Sequence, residues 1–235
     1  MNVVPQRKTR AKQSTDWRKN RTWPTQRTPF MFVWKIIGHI IFWPTYSVTW
    51  EGLENLPESG PCILASNHAS NYDSTLLFSE LWKRWLFFMA KMELYEGWFL
   101  RWLLHGIGAF PVKRGEGDIW AIGHAGRVLK AGRVLGMFPE GTRSKTGVLQ
   151  TGKTGTAKLA LHHKVPVVPV AVLNTNKITN WHGRVPVTVK IGKPIDLVSL
   201  AGPGRHDQQT FHNLTTIVMR EIAALMPPEL RGIYK

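Results

Sequence analysis

Cys62-Ile63-Leu64-Ala65-Ser66-Asn67-His68-Ala69-Ser70-Asn71-Tyr72-Asp73 runs from small and apolar residues straight into a polar turn. A short apolar run bounded by turn residues reads as a buried strand. Ser70 followed three residues later by Asp73 is the signature of a helix start, in which hydroxyl and carboxylate satisfy free N–H groups reciprocally. The stretch therefore predicts a strand over 62–66, a tight turn, and a helix over 73–83. The same alternation continues outward. Strands are expected at 46–50, 86–90, 109–113, 134–138, 167–172 and 185–191. Helices are expected at 98–105, 118–130, 154–163 and 206–225. Strands alternating with helices predict one α/β domain with a largely parallel central sheet flanked by helices. The prolines in Val165-Pro166-Val167-Val168-Pro169-Val170 suggest an edge or irregular position for that strand.

Upstream lies different material. Residues 1–29 hold eight Lys and Arg against one acid, Asp16, with few aliphatics. Such a segment cannot build a core, so a disordered basic arm is expected. Residues 30–44 follow as an apolar run that ends at Pro44. It is shorter than the ~20 residues a membrane-spanning helix needs. Lys35 and His39 lie four apart on one face and the other faces are apolar, the pattern of a helix lying in a membrane interface. The α/β domain would then cover 45–235.

Composition narrows the partners. The chain of 235 residues carries 31 Lys and Arg against 15 Asp and Glu, a formal charge of +16. That balance calls for an anionic partner, and the 11 Trp favour a membrane surface among the choices. No zinc-finger or RRM-type signature is present, so no nucleic-acid partner is expected. The one cysteine, Cys62, sits in an apolar run and reads as a small core residue, which excludes an intrachain disulfide framework.

Four segments have residue types that suit chemistry. His68 at a strand end, with Asp73 five residues on, is arranged for a dyad in which the carboxylate fixes the imidazole tautomer. Phe138-Pro139-Glu140-Gly141-Thr142-Arg143-Ser144 combines a glycine, two hydroxyls and an arginine directly after a strand. Such groups suit a phosphate. Gly108-Ala109-Phe110-Pro111-Val112-Lys113-Arg114-Gly115 ends a strand in two bases. The valine–proline segment at 165–172 shows no chemistry of its own.

In this order, the four segments resemble the four sequence blocks of the glycerolipid acyltransferase family, over roughly residues 45–195. Asn67, His68 and Asp73 match the N-H-x-x-x-x-D block. Phe110 and Arg114 match the second, Phe138 to Ser144 the third in full, and Val165 to Val170 the fourth. Gly152-Lys153-Thr154-Gly155-Thr156-Ala157 looks like the helix start that follows the third block. The second block departs by carrying Lys113 where many relatives have an acid or a polar residue.

The resemblance implies that 45–235 is an acyltransferase domain. It implies direct acyl transfer from acyl-coenzyme A or acyl carrier protein to a lysophospholipid, with lysophosphatidate as acceptor and phosphatidate as product. It implies no metal and no resident cofactor. His68 would be the general base and Asp73 its orienting partner. Arg114, Glu140, Gly141, Thr142, Arg143 and Lys153 would bind the acceptor. The enzyme would sit on the cytoplasmic face of the cell membrane, peripherally or monotopically. Other acceptors (glycerol 3-phosphate, another lysophospholipid, a glycolipid) stay open. Two other classes are a hydrolase using Ser66 or Ser70, for which no G-x-S-x-G elbow is present, and a non-enzymatic basic binding protein.

Overall fold

The structure is a computed structural model that describes residues 16–115, 117–178 and 183–235. Helix α1 (Pro29–Phe42) leads into strand β1 (Tyr46–Glu51), then β2 (Cys62–Ser66) and α2 (Tyr72–Glu80). Strand β3 (Leu86–Lys91), α3 (Trp98–Gly106), β4 (Phe110–Val112) and α4 (Ile119–Lys130) follow. The chain continues with β5 (Val134–Met137), α5 (Gly155–His163), β6 (Val167–Leu173) and β7 (Val185–Ile191). Two helices, α6 (Leu197–Ala201) and α7 (Gln208–Ala224), close it. Of these elements only the five-residue α6 has no counterpart in the sequence reading, being shorter than any periodicity signal.

The seven strands form one sheet in the order β1-β7-β6-β2-β5-β3-β4. β6, β2, β5, β3 and β4 run parallel to one another, whereas β7 is antiparallel to β6 and parallel to β1. Strands buried on both faces need continuous apolar residues, and every residue of β2 and β6 is buried. In a sheet of this kind the loops that bind ligands follow the carboxyl ends of the parallel strands. Here those are the segments after β2, β3, β4, β5 and β6.

The sheet corrects one expectation. β6 is an interior strand, between β7 and β2, and not an edge. Pro169 is tolerated because the ladder to β7 lapses beside it. Regular pairing begins at Val170 with Ile191; Pro169 only accepts, its carbonyl taking the Gly192 N–H at 2.9 Å, and the next bridge toward the start of β6 joins Val167 and Ile195. The missing proline N–H falls in that gap.

The arm is also corrected in part. Residues 1–15 lie outside the described residues. Residues 16–28, expected to be disordered, are folded onto the domain. Trp17–Asn20 makes a 3-10 turn, Arg18 is only 2% exposed, and Trp23 packs edge-on against Trp120 and Tyr95. The two tryptophans and the buried arginine supply the burial that the bases alone would not.

Helix α1 starts where its sequence says. Thr28 caps it by accepting the Met31 N–H at 3.2 Å, and Pro29 occupies the first turn. Its polar face, however, is turned onto α2, with the His39 side chain still 41% exposed. Lys35 is 1% exposed and donates from Nζ to the Leu81 carbonyl at the end of α2, while His39 pairs with Glu80 at 2.9 Å. The polar residues dock α1 onto α2, where an unpaired helix C-terminus attracts cations. Phe32, Val33, Ile36, Ile40, Ile41 and Trp43 are left exposed. Trp102 of α3 packs on Phe30 and Trp34, so this surface continues onto α3, where Trp98 is 81% exposed. No helix of the described residues is long and apolar enough to cross a membrane.

Burial pushes the Lys35 ammonium down to about 8, against a smaller opposing pull from Glu80. Between that value and the ordinary lysine range the unfolded chain binds more protons than the folded one, so stability rises with pH across that window. Lys35→Met fits among Phe78, Trp82 and Trp85, whose ring centres lie 5.0–5.7 Å from Nζ. Thermal melts should show the variant more stable at pH 7, on the order of 1 kcal/mol, and without the rise between pH 8 and 10. A lower melting temperature at pH 7 would mean that the bond to Leu81 outweighs the cost of burying the charge.

Candidate active site

β2 delivers His68 to the carboxyl edge of the sheet, and the turn brings Asp73 back beneath it. His68 Nδ1 lies 2.9 Å from Asp73 Oδ2. The same oxygen accepts the N–H groups of Ala69 and Ser70, each at 2.8 Å. Thr175, just after β6, donates its hydroxyl to Asp73 Oδ1. Of the reciprocal cap expected from the sequence only half forms: Asp73 accepts the Ser70 N–H, whereas the Ser70 hydroxyl accepts from Tyr72 and not from Asp73, and the N-cap position of the helix is Asn71. Asp73 is fully buried. A carboxylate so placed is supported by four donors, three at Oδ2 and one at Oδ1. It requires Nδ1 to carry the proton, which leaves Nε2 with a free lone pair. Nε2 carries no hydrogen bond among the described residues.

The histidine is held from three further sides. Its ring stacks on Phe138 with centroids 4.0 Å apart and planes at 16°. Its carbonyl accepts the Ser144 N–H at 2.7 Å. Its N–H donates to Glu140 Oε1 at 2.7 Å, and Glu140 Oε2 accepts the Gln150 N–H at 2.9 Å. Asn67, next to His68, makes a two-way amide bridge to Val172 at 2.9 and 2.7 Å, which ties the loop after β2 to β6.

Glu140 therefore differs from its expected place among the acceptor-binding residues. It is 3% exposed and both oxygens are committed to backbone donors, so it braces the His68 loop. Burial pushes its carboxyl up to about 7, against the pull of those two N–H groups.

Two cavities meet at His68. A cleft of about 260 Å³ is lined by His68, Lys113, Arg114, Gly141 and Lys153. Gly141 has φ +73°, and a Cβ there would come within 3.0 Å of the Lys153 side chain, so the glycine gives the lysine its seat. The second cavity, of about 400 Å³, is chiefly apolar. It runs between α1, α2 and α3, past Trp34, Ile37, Phe78, Leu103 and Ile107. His68, Arg114 and Phe138 line both.

The structure thus brings Arg114, Gly141 and Lys153 together with the dyad, and adds Lys113. Thr142 and Arg143 are exposed and outside the lining of both cavities. The turn after β5 directs them outward because Gly141, in the left-handed region, reverses the chain. Thr175 escaped the sequence reading, since nothing local marks a threonine as the partner of a carboxylate 102 positions away. Ser66 is fully buried and bonds the Asn67 carbonyl, and neither Ser66 nor Ser70 touches the imidazole among the described residues, which removes the basis for a serine hydrolase.

The family model described as Acyltransferase matches residues 47–173. The chloroplastic 1-acyl-sn-glycerol-3-phosphate acyltransferase LPAT1 of Arabidopsis thaliana is 35% identical over 182 residues, which are 73% of this chain and 50% of that protein. The 1-acyl-sn-glycerol-3-phosphate acyltransferase of Bacillus subtilis is 29% identical over 63% of this chain and 73% of that one. The alignable part is thus about half the length of the Arabidopsis protein. Among solved structures, the 1-acyl-sn-glycerophosphate acyltransferase PlsC of Thermotoga maritima matches with a TM-score of 0.64 at 26% identity, over 83% of this chain and 79% of that one.

Proposed function

Because the chain belongs to the Acyltransferase family, we propose that it is a 1-acylglycerol-3-phosphate O-acyltransferase, moving a fatty acyl chain from a thioester to the sn-2 hydroxyl of lysophosphatidate to give phosphatidate. The observation that carries this reading is the position of His68, with its free Nε2, where a cation-lined cleft meets an apolar cavity. A phosphate monoester with a nearby hydroxyl suits the first, and a fatty acyl chain the second.

In this mechanism Lys113, Arg114 and Lys153 hold the acceptor's phosphate and so place its hydroxyl at Nε2. His68 takes the hydroxyl proton as the oxygen attacks the thioester carbonyl. The C–S bond of the tetrahedral intermediate breaks, and the imidazolium returns the proton to the departing thiolate. Asp73 stabilises the imidazolium between the two transfers. The acyl group passes directly from sulfur to oxygen, with acyl-coenzyme A or acyl carrier protein as co-substrate and no metal or resident cofactor.

The substrates live in a bilayer, and the exposed apolar surface of α1 and α3 lies beside the apolar cavity. We place that surface against lipid, as a peripheral or monotopic attachment on the cytoplasmic face, with the bases of the N-terminal arm drawn to anionic headgroups. An exposed apolar patch of this kind marks an interaction surface, and Trp98 and Trp102 are residues that suit the water–lipid boundary.

The test is transfer of radiolabelled oleoyl from coenzyme A by the purified protein in detergent, with lysophosphatidate and glycerol 3-phosphate side by side. Label in phosphatidate supports the reading, and label only in the glycerol 3-phosphate product moves the acceptor. No transfer from either coenzyme A or acyl carrier protein would sink it. In the same assay Arg114→Ala should raise the KM for lysophosphatidate by about tenfold, the worth of a charge-assisted hydrogen bond. Arg143→Ala, outside the cleft, should change it far less. Equal effects would return Arg143 to the phosphate site.

A further inference from the structure

We propose that Arg18, in the segment ahead of α1, is a positioning residue for the phosphate cleft: it clasps the loop that carries Lys113 and Arg114 and neutralises the carboxylate that would otherwise draw those two cations away. The inference rests on reading that cleft as the site of the acceptor's phosphate.

All five N–H groups of the Arg18 guanidinium are used. Nε donates to Asp16 at 2.8 Å. One terminal nitrogen reaches the Pro111 carbonyl at 3.2 Å and Asp118 Oδ2 at 2.5 Å. The other reaches Asp16 Oδ2 at 2.6 Å and Asp118 Oδ1 at 3.1 Å. The plane lies over Trp120, with Cζ 4.5 Å from the ring centre. A planar fork saturated in this way, 2% exposed, holds one geometry. It joins residue 18 to the two ends of a single loop, Pro111 at the close of β4 and Asp118 at the start of α4.

Asp118 is what makes the clasp matter to the cleft. Its carboxylate caps α4 by accepting the Ala121 N–H at 3.1 Å and accepts the Lys113 N–H at 2.8 Å. It therefore ties Lys113 to the start of α4, and Lys113 and Arg114 line the cleft. Its side chain is 4% exposed. Burial works against its charge, but Arg18 and the two backbone N–H groups still hold the carboxyl below its ordinary value. A buried carboxylate left without its counter-ion is strongly destabilised, which favours drawing in any cation that can reach it. Its own loop carries two, Lys113 and Arg114, and Lys113 already pulls on the neighbouring Asp16. Asp16 adds a second carboxylate, held down chiefly by Arg18 and also by Lys113. With Arg18 in place both acids are satisfied from the protein side, and the two cations face the cleft.

The clasp is read by calorimetric titration of the full chain in detergent with lysophosphatidate, which does not depend on turnover. Arg18→Ala should raise the Kd, and with it the KM for the acceptor, by about tenfold. The KM for the thioester should stay unchanged. Should the alanine variant fail to fold, Arg18→Gln, which removes the charge and keeps two of the five N–H donors on a shorter side chain, carries the same expectation. The double variant Arg18→Gln/Asp118→Asn should regain part of the lost affinity, because the asparagine oxygen can still accept the Lys113 N–H, at the cost of the bond from Ala121, and the side chain no longer attracts the loop's cations, while the Asp16 carboxylate stays. A purely structural arginine gives no such rescue. An unchanged Kd in a folded single variant, or a double variant no better than the single, overturns the proposal. A wild type that binds lysophosphatidate but transfers nothing to it refutes the proposed activity and leaves the clasp standing. A wild type that does not bind it refutes both.

Discussion

His68→Ala is expected to lower turnover by about 100-fold or more, the usual contribution of a general base, while the protein stays folded. Folding survives because the fourfold network around Asp73 loses a single member. The carboxylate keeps the N–H groups of Ala69 and Ser70 and the Thr175 hydroxyl. The ring's own packing on Phe138 is lost, at a cost of about 1–2 kcal/mol. The acceptor KM should change little, since the phosphate ligands proposed above are Lys113, Arg114 and Lys153 and not the imidazole. Rates at saturating acceptor, read beside a thermal melt, separate loss of chemistry from loss of fold. A variant that keeps about a tenth of wild-type turnover would remove His68 from the proton transfer.

The parts of this arrangement that were legible in the sequence are those whose signal is local. The apolar run at Cys62–Ser66, the helix start near Ser70 and the offset from His68 to Asp73 lie within a dozen residues, and strand, turn and dyad all follow from them, although the cap itself falls one residue on, at Asn71. The same holds for Val134–Met137 and the turn that follows it. What was not legible depends on which strands become neighbours. That β6 pairs with β2 brings Val172 to Asn67 and Thr175 to Asp73, and no periodicity announces it. The outward turn at Gly141 separates Arg143 from Lys153, although both stand in a glycine- and threonine-rich stretch. A buried Lys35 breaks the usual rule that lysine is exposed, since the acceptor waiting for it is the Leu81 carbonyl 46 residues on. Arg18 is the extreme case, with a partner 100 residues away. Composition placed it in a solvated arm, because composition counts charges and cannot see their counter-ions.

Asp73→Asn is the sharper test of the dyad, because the geometry permits the substitution to remove charge and almost nothing else. Oδ2 accepts three N–H groups, from His68, Ala69 and Ser70. An asparagine must therefore set its carbonyl oxygen there, since its amide nitrogen would face three donors. The nitrogen then occupies the place of Oδ1, opposite the Thr175 hydroxyl, which reverses its role and accepts. All four contacts are retained, and with them the tautomer that leaves Nε2 free. What is lost is the negative charge that, in the proposed mechanism, stabilises the imidazolium between proton uptake and return. Turnover should fall by about 100-fold or more, with the melting temperature and the acceptor KM close to wild type. Asp73→Ala, by contrast, strands buried backbone donors at about 1–3 kcal/mol each, so its lower stability would obscure the chemistry. If the asparagine variant turns over within a few-fold of wild type while the alanine variant melts early, Asp73 is a cap for α2 and a clamp on the turn, and the imidazolium is stabilised elsewhere.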